Sequence, residues 1–125
     1  VEQHKLKVLI VEDEFFIALD AEEQVRSLGH TVVGTAVSAE QAIQLAGQEK
    51  PDVVLMDIRL VGPTDGITAA LEIHSRYGVK AIFVTANTDP STLARAQSID
   101  PVGVLQKPLT KDRLAAQFAR LPESR

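Results

Sequence analysis

The sequence predicts a single α/β domain built on a parallel, doubly wound sheet. Three observations predict it. Short aliphatic runs recur along the chain, and segments with helical spacing fall between them. Each run is apolar enough to be covered on both faces, as strands of a parallel sheet are. Several runs end in charged or hydroxyl residues, and an open α/β sheet collects its chemistry beyond the carboxyl ends of its strands.

The first run is Leu6 to Val11, followed at once by Glu12-Asp13-Glu14. Ile17, Ala21, Val25 and Leu28 then recur at helical spacing, and Gly29 stands where a helix C-cap belongs. Thr31 to Ala36 is β-branched and reads as a second strand. Ser38 with Gln41 three residues on opens a second helix through a capping box. Its apolar face holds Ala39, Ala42, Ile43 and Ala46, with Gly47 expected to close it. Asp52 to Met56 is the third strand, a buried run ending against Asp57.

Gly62-Pro63-Thr64-Asp65-Gly66 is loop chemistry. A third helix carries Ile67, Ala70, Leu71 and Tyr77 and stops near Gly78. Lys80 to Val84 is the fourth strand, with Thr85 at its end. Asp89-Pro90 supplies an N-cap and first-turn proline for a weakly amphipathic fourth helix. Val102 to Gln106 is a short fifth strand, ended by Lys107-Pro108. Thr110 caps a last helix with Leu114, Phe118 and Leu121 on one face. One domain is expected over residues 1–125, with a core of about 6–121 and tails at 1–5 and 122–125.

With 125 residues, 45% apolar and 24% charged, the chain can bury a core without disulfides or structural metal. It has no cysteine, which excludes thiol chemistry and suits a reducing, cytoplasmic compartment. The net charge of −4 argues against direct nucleic-acid binding, and no apolar run approaches a membrane span. The chain opens on Val1 rather than Met, which leaves open a piece excised from a longer protein. His4, His30 and His74 lack metal-ligand spacing and read as surface or helix-edge residues.

In a strand order of 2-1-3-4-5, the flavodoxin-like order, strands one and three meet at the switch point. Glu12, Asp13, Asp57, Thr85 and Lys107 then converge on one edge of the sheet. Three carboxylates in one pocket repel unless a cation joins them, and hard oxygen ligands suit Mg²⁺ or Mn²⁺. A carboxylate such as Asp57 can serve as a covalent nucleophile toward phosphorus. Lys107 supplies a point charge for phosphoryl oxygens, and Thr85 a hydroxyl donor. Taken singly, Asp57 reads equally well as a turn residue, Glu12-Asp13-Glu14 as a helix-dipole cluster, and Lys107-Pro108 as a solvated turn. Taken together they favour phosphoryl transfer.

The runs Val8-Leu9-Ile10-Val11-Glu12-Asp13-Glu14, Val54-Leu55-Met56-Asp57, Val84-Thr85-Ala86 and Leu105-Gln106-Lys107-Pro108 resemble the receiver domain of bacterial two-component response regulators. The resemblance covers nearly the whole chain, with the motifs in order. It implies that Asp57 accepts a phosphoryl group from a phosphohistidine on a sensor histidine kinase or phosphotransfer protein. It also implies that Asp13 and Asp57 bind Mg²⁺ directly and Glu12 mostly through water, with the Arg59 carbonyl completing the site. Thr85 and Lys107 would bind the phosphoryl oxygens, and Thr85 would shift helix four, strand five and their loop. The resemblance implies a switching face made of helix four, strand five and helix five, which could also form a homodimer.

One position departs from the family. Val104 stands three residues before Lys107, where an aromatic usually swings, and the chain is similar in this to divergent, single-domain receivers. Arg59 and Asn87 are expected to overlook the phosphate and tune its lifetime, and Arg59 to pair with Glu12 or Glu14 in the absence of metal. The domain is not expected to be a turnover enzyme. A dehalogenase-type phosphatase would need an acid where Arg59 stands. A flavin carrier would need a Gly- and hydroxyl-rich loop where Glu12-Asp13-Glu14 would repel phosphate. The competing reading is a phosphorylation-independent binding or dimerisation module.

Overall fold

A computed structural model of the chain describes residues 5–86 and 89–122. Five strands alternate with five helices: β1 (Lys7–Val11), α1 (Phe15–Ser27), β2 (Thr31–Ala36), α2 (Ala39–Glu49), β3 (Val53–Asp57), α3 (Gly66–Tyr77), β4 (Lys80–Thr85), α4 (Pro90–Ser98), β5 (Gly103–Gln106) and α5 (Lys111–Phe118). All pair in parallel, in the order β2-β1-β3-β4-β5. The chain leaves β1 toward one edge and then returns past it toward the other. With right-handed crossovers this reversal places α1 on one face and α2, α3 and α4 on the opposite one.

The period of two along each strand divides the apolar runs between these faces. Leu9, Val11, Val54, Met56 and Phe83 pack with the alanines of α2 and with Ile67, Ala70 and Ile73 of α3. Val8, Ile10, Val53, Leu55 and Ile82 pack with Ala21 and Val25 of α1 and with Leu114 and Phe118 of α5. Every residue of β3 is buried, so Asp57 is carried to the sheet edge on the most enclosed strand. Helix starts follow the caps expected at Ser38, Asp89 and Thr110, and Asp65 adds one that the sequence had shown only as loop. Ser38 accepts from Gln41 N–H, Asp65 from Thr68, Asp89 from Thr92 and Thr110 from Arg113. Each cap contributes about 1 kcal/mol.

Several expectations need correction. Helix α2 runs past Gly47 to Glu49 and ends on Lys50 in the left-handed region, at φ 48°. Gly47 answers a packing demand instead, because a Cβ there would lie 2.6 Å from the Tyr77 hydroxyl. Ile17 on α1 and Leu71 and Tyr77 on α3 are exposed, and Ala18, Ala69 and Ile73 take the buried positions. Helix α5 ends at Phe118, before Leu121, although Leu121 still packs against the same core. His74 is exposed, but His30 is half-buried. It accepts a hydrogen bond from Leu6 N–H at 3.0 Å and stacks edge-on against Phe118, joining the start of β1 to α5. No helix among the described residues is long and apolar enough to cross a membrane.

Candidate functional site

The site lies at the carboxyl ends of β1, β3 and β4 and the turn after β5. Glu12 continues β1 by one bond, donating its N–H to Ala36 O at 3.0 Å, which aims its side chain inward. Its carboxylate then serves two partners, accepting from Glu14 N–H at 3.1 Å and from Lys107 Nζ at 2.7 Å. Asp57 ends β3 and accepts from Arg59 N–H at 3.3 Å and from Lys107 Nζ at 3.4 Å. Lys107 reaches both carboxylates because its own N–H is pinned to Thr85 O at 2.9 Å. Thr85, Glu12 and Asp57 are the buried polar or charged residues among those described.

The loop after β3 closes tightly on the acceptor strand. Gly66 N–H donates to Ile58 O at 2.7 Å, and a Cβ on Gly66 would lie 1.9 Å from the Asp57 carbonyl oxygen. Only glycine tolerates this approach. Asp65, next to it, both caps α3 and pairs with Arg95 of α4 at 3.0 Å.

The electrostatics separate the two buried carboxylates. Burial pushes the Asp57 carboxyl up, and the neighbouring Glu12 charge pushes it further, to about 6 against an ordinary 3.8. Burial also acts to raise Glu12, but the hydrogen bonds from Lys107 and Glu14 N–H outweigh it and hold that carboxyl below its ordinary value. Burial alone would lower Lys107. Its hydrogen bond to Glu12 and the charge on Asp57 reverse this and hold the ammonium above its ordinary value. The single cation thus serves Glu12 first, and Asp57 carries the unrelieved repulsion.

Glu12, Asp13 and Asp57 each offer a carboxylate oxygen, all within 4.8 Å of one another, and could hold a metal ion. Three hard anionic oxygens, one residue half-exposed, suit a cation that keeps part of its water. A polar depression over this cluster is lined by Glu12, Asp13, Glu14, Asp57, Arg59, Thr85 and Lys107. Six of the residues singled out in the sequence therefore meet here. Asn87 lies outside the described residues. Val104 does not belong to the site: it sits half-buried in β5, opposite Phe83, facing the α2–α3–α4 side. Arg59 is exposed and forms no ion pair with Glu12 or Glu14 among the described residues. Lys107 takes Glu12 instead, because it approaches from the buried side.

Sequence reasoning missed what borders the acids. A second, apolar depression shares Glu12, Asp57 and Lys107 and is walled by Phe16, Ile17, Leu55, Val84, Pro108 and Leu109. Phe15 and Phe16 stand 71% and 80% exposed at the start of α1, which marks this rim as unusually apolar. The signal was the pair of consecutive aromatics after Glu14, off the helix's buried stripe.

Comparison with known proteins agrees with this geometry. Residues 8–119 match the model of the response regulator receiver domain. The transcriptional regulatory protein PdtaR of Mycobacterium tuberculosis is 36% identical over 104 residues, covering 83% of this chain and 50% of that protein. The phyllosphere-induced regulator PhyR of Methylorubrum extorquens is 32% identical over 115 residues, covering 91% of this chain and 42% of that protein. The chain thus spans about half the length of these curated relatives or less. Among solved structures, the signal receiver domain of a modulated diguanylate cyclase from Desulfovibrio desulfuricans superposes with a TM-score of 0.87 at 34% identity, covering 93% of this chain and 92% of that one. The response regulator PhyR from Brucella abortus superposes at 0.79 with 34% identity, covering 95% of this chain and 48% of that one. The strand order, the acid cluster at its switch point and the match over nearly all of its length place this chain in the response regulator receiver domain family of two-component signalling.

Proposed function

We propose that the domain accepts a phosphoryl group on Asp57 and uses it to reset its α4–β5–α5 face. The observation that carries this reading is the placement of Lys107 Nζ, 2.7 Å from Glu12 and 3.4 Å from Asp57, beside a three-carboxylate cluster. A carboxylate oxygen of Asp57 attacks phosphorus, the phosphorus–nitrogen bond of a phosphohistidine breaks, and the imidazole leaves with a proton. The product is an acyl phosphate. Lys107 moves from Glu12 toward the new phosphoryl oxygens, and Thr85, buried at the end of β4, offers its hydroxyl to them. Glu12, Asp13 and Asp57, with the Arg59 carbonyl, are the residues that would hold Mg²⁺, or Mn²⁺ in its place. When bound, the ion supplies charge neutralisation between acceptor and phosphoryl group.

The donor is a sensor histidine kinase or a histidine phosphotransfer protein, and the apolar rim at Phe16 and Leu109 offers it a landing beside Asp57. The domain assists its own phosphorylation and hydrolysis and turns over no separate substrate. Its acidity favours a protein partner, or a second copy through α4–β5–α5, over direct contact with nucleic acid. A cytoplasmic location follows from the proposed donor. Asn87 and Arg59 are assigned to tuning phosphate lifetime. A second reading, a receiver fold that binds partners without phosphorylation, is favoured by Val104 alone.

The test is transfer from a phosphohistidine-bearing phosphotransfer protein, followed by hydroxylamine. The proposal expects label on the wild type that hydroxylamine removes, and none on Asp57→Asn. Stable label, or equal label on the variant, would assign the chemistry to another residue.

A further inference from the structure

The turn that carries Lys107 is anchored unevenly. On its near side, Lys107 N–H donates to Thr85 O at 2.9 Å. On its far side, Pro108 has no N–H to give, and α5 does not begin until Lys111. Glu12 and Asp57 hold the side chain of Lys107, but the turn's backbone beyond Lys107 is met by a side chain of α1, Gln24. Gln24 Nε2 donates to Leu109 O at 2.9 Å and to Asp20 Oδ2, one helical turn earlier, also at 2.9 Å. Its Oε1 is buried and makes no hydrogen bond among the described residues. The amide thus acts purely as a double donor. Helix α1 starts directly after Glu12-Asp13-Glu14, so this one side chain ties the element that follows the acids to the turn that holds their cation.

We propose that Gln24 is a positioning residue for Lys107, holding the Lys107–Leu109 turn against α1 and so setting where the ammonium stands over Glu12 and Asp57. The idea rests on the reading of Lys107 as the phosphoryl-binding cation. Loss of the donor lets the turn lift from α1 without removing any group that touches the phosphoryl. Gln24→Leu keeps the volume and deletes both hydrogen bonds. Gln24→Lys restores donors to Asp20 and Leu109 O. Ser38→Ala removes the α2 cap, far from the turn, and serves as a stability control.

The experiment follows phosphorylation by acetyl phosphate at saturating Mg²⁺, with thermal unfolding and the backbone amide signals of Lys107 and Leu109 recorded on each protein. Gln24→Leu is expected to phosphorylate about fivefold more slowly, the factor one neutral hydrogen bond supplies, and to shift both amide signals. Gln24→Lys is expected to recover the wild-type rate and signals, and Ser38→Ala to keep both. Unshifted amides in Gln24→Leu would overturn the tether. An equal slowing in Ser38→Ala would reduce the effect to lost stability. A wild type that takes no phosphoryl from acetyl phosphate or from a phosphohistidine donor would sink the phosphoacceptor reading alone, because the amide signals would still report on the tether.

Discussion

The acid edge of the sheet and the α4–β5–α5 face are built by opposite rules. At the acid edge, three polar or charged side chains are buried, the two carboxylates share one ammonium, and Gly66 presses against the carbonyl of Asp57. Across the sheet, β5 has four residues and α4 buries Ala96 alone, while α3 buries five residues. A largely solvent-accessible Arg95–Asp65 pair links α4 back to the loop after Asp57, and such pairs contribute at most about 1 kcal/mol. One region is tight and electrostatically frustrated; in the other, α5 is anchored by Leu114 and Phe118 but α4 is lightly packed. A ligand or charge added at the first has repulsion to relieve, and α4 can shift at little cost.

The sharpest way to break this contrast is Lys107→Ala. It leaves Glu12 and Asp57 facing each other with no cation between them. Phosphorylation should fall about 100-fold, and urea unfolding in EDTA near neutral pH should show a loss of about 3 kcal/mol. An unchanged rate would remove Lys107 from the chemistry.

Asp57→Asn tests the repulsion itself. The folded carboxyl titrates near 6, above its ordinary 3.8, so its protonated form is the one folding favours. The stability this group contributes is fully present below its unfolded value and is lost as pH rises through about 6. Asparagine does not titrate. In EDTA the variant should therefore match wild type in acid and unfold at higher temperature above neutral pH. A difference independent of pH would contradict the assignment.

Metal should relieve the same repulsion. Mg²⁺ at about a hundredfold excess over its Kd should stabilise wild type by roughly 2.7 kcal/mol, and Asp13→Ala should abolish the gain. A shift that survives in Asp13→Ala would move the metal elsewhere. The smallest effect belongs to the other region. Val104→Ala should leave the phosphorylation rate within about twofold and cost about 1 kcal/mol of stability, as the loss of two half-buried methyl groups does. A large fall in rate would show that β5 is coupled to the site more tightly than its packing suggests.

The alternation of strands and helices and the acids at the strand ends were legible because both rest on local signals, whereas the strand order had to be taken from the flavodoxin-like pattern. Aliphatic runs sort by a period of two, caps announce helix starts, and strand-end residues have nowhere to go but the switch point. Ile17, Leu71, Tyr77 and Gly47 were misjudged for a common reason. Helical spacing names a stripe but not which neighbour it meets, and only the packed partners decide that Gly47 faces Tyr77 rather than ending a helix. His30 was misjudged because its partner, Leu6 N–H, is 24 positions away. Arg59 was expected to pair with Glu12 or Glu14 in the absence of metal, yet Lys107, 95 positions from Glu12, reaches Glu12 from the buried side. Gln24 was invisible for the same reason, its link to Leu109 spanning 85 positions. Contacts that cross the chain at such distances leave no periodic trace.

Intact mass after incubation with acetyl phosphate decides whether Asp57 is the phosphoacceptor of a metal-assisted reaction. Wild type with Mg²⁺ should gain one phosphoryl group, while wild type in EDTA and Asp57→Asn with Mg²⁺ should gain none. An adduct on Asp57→Asn would contradict that role, as would an unmodified wild type that also fails to accept from a phosphohistidine donor.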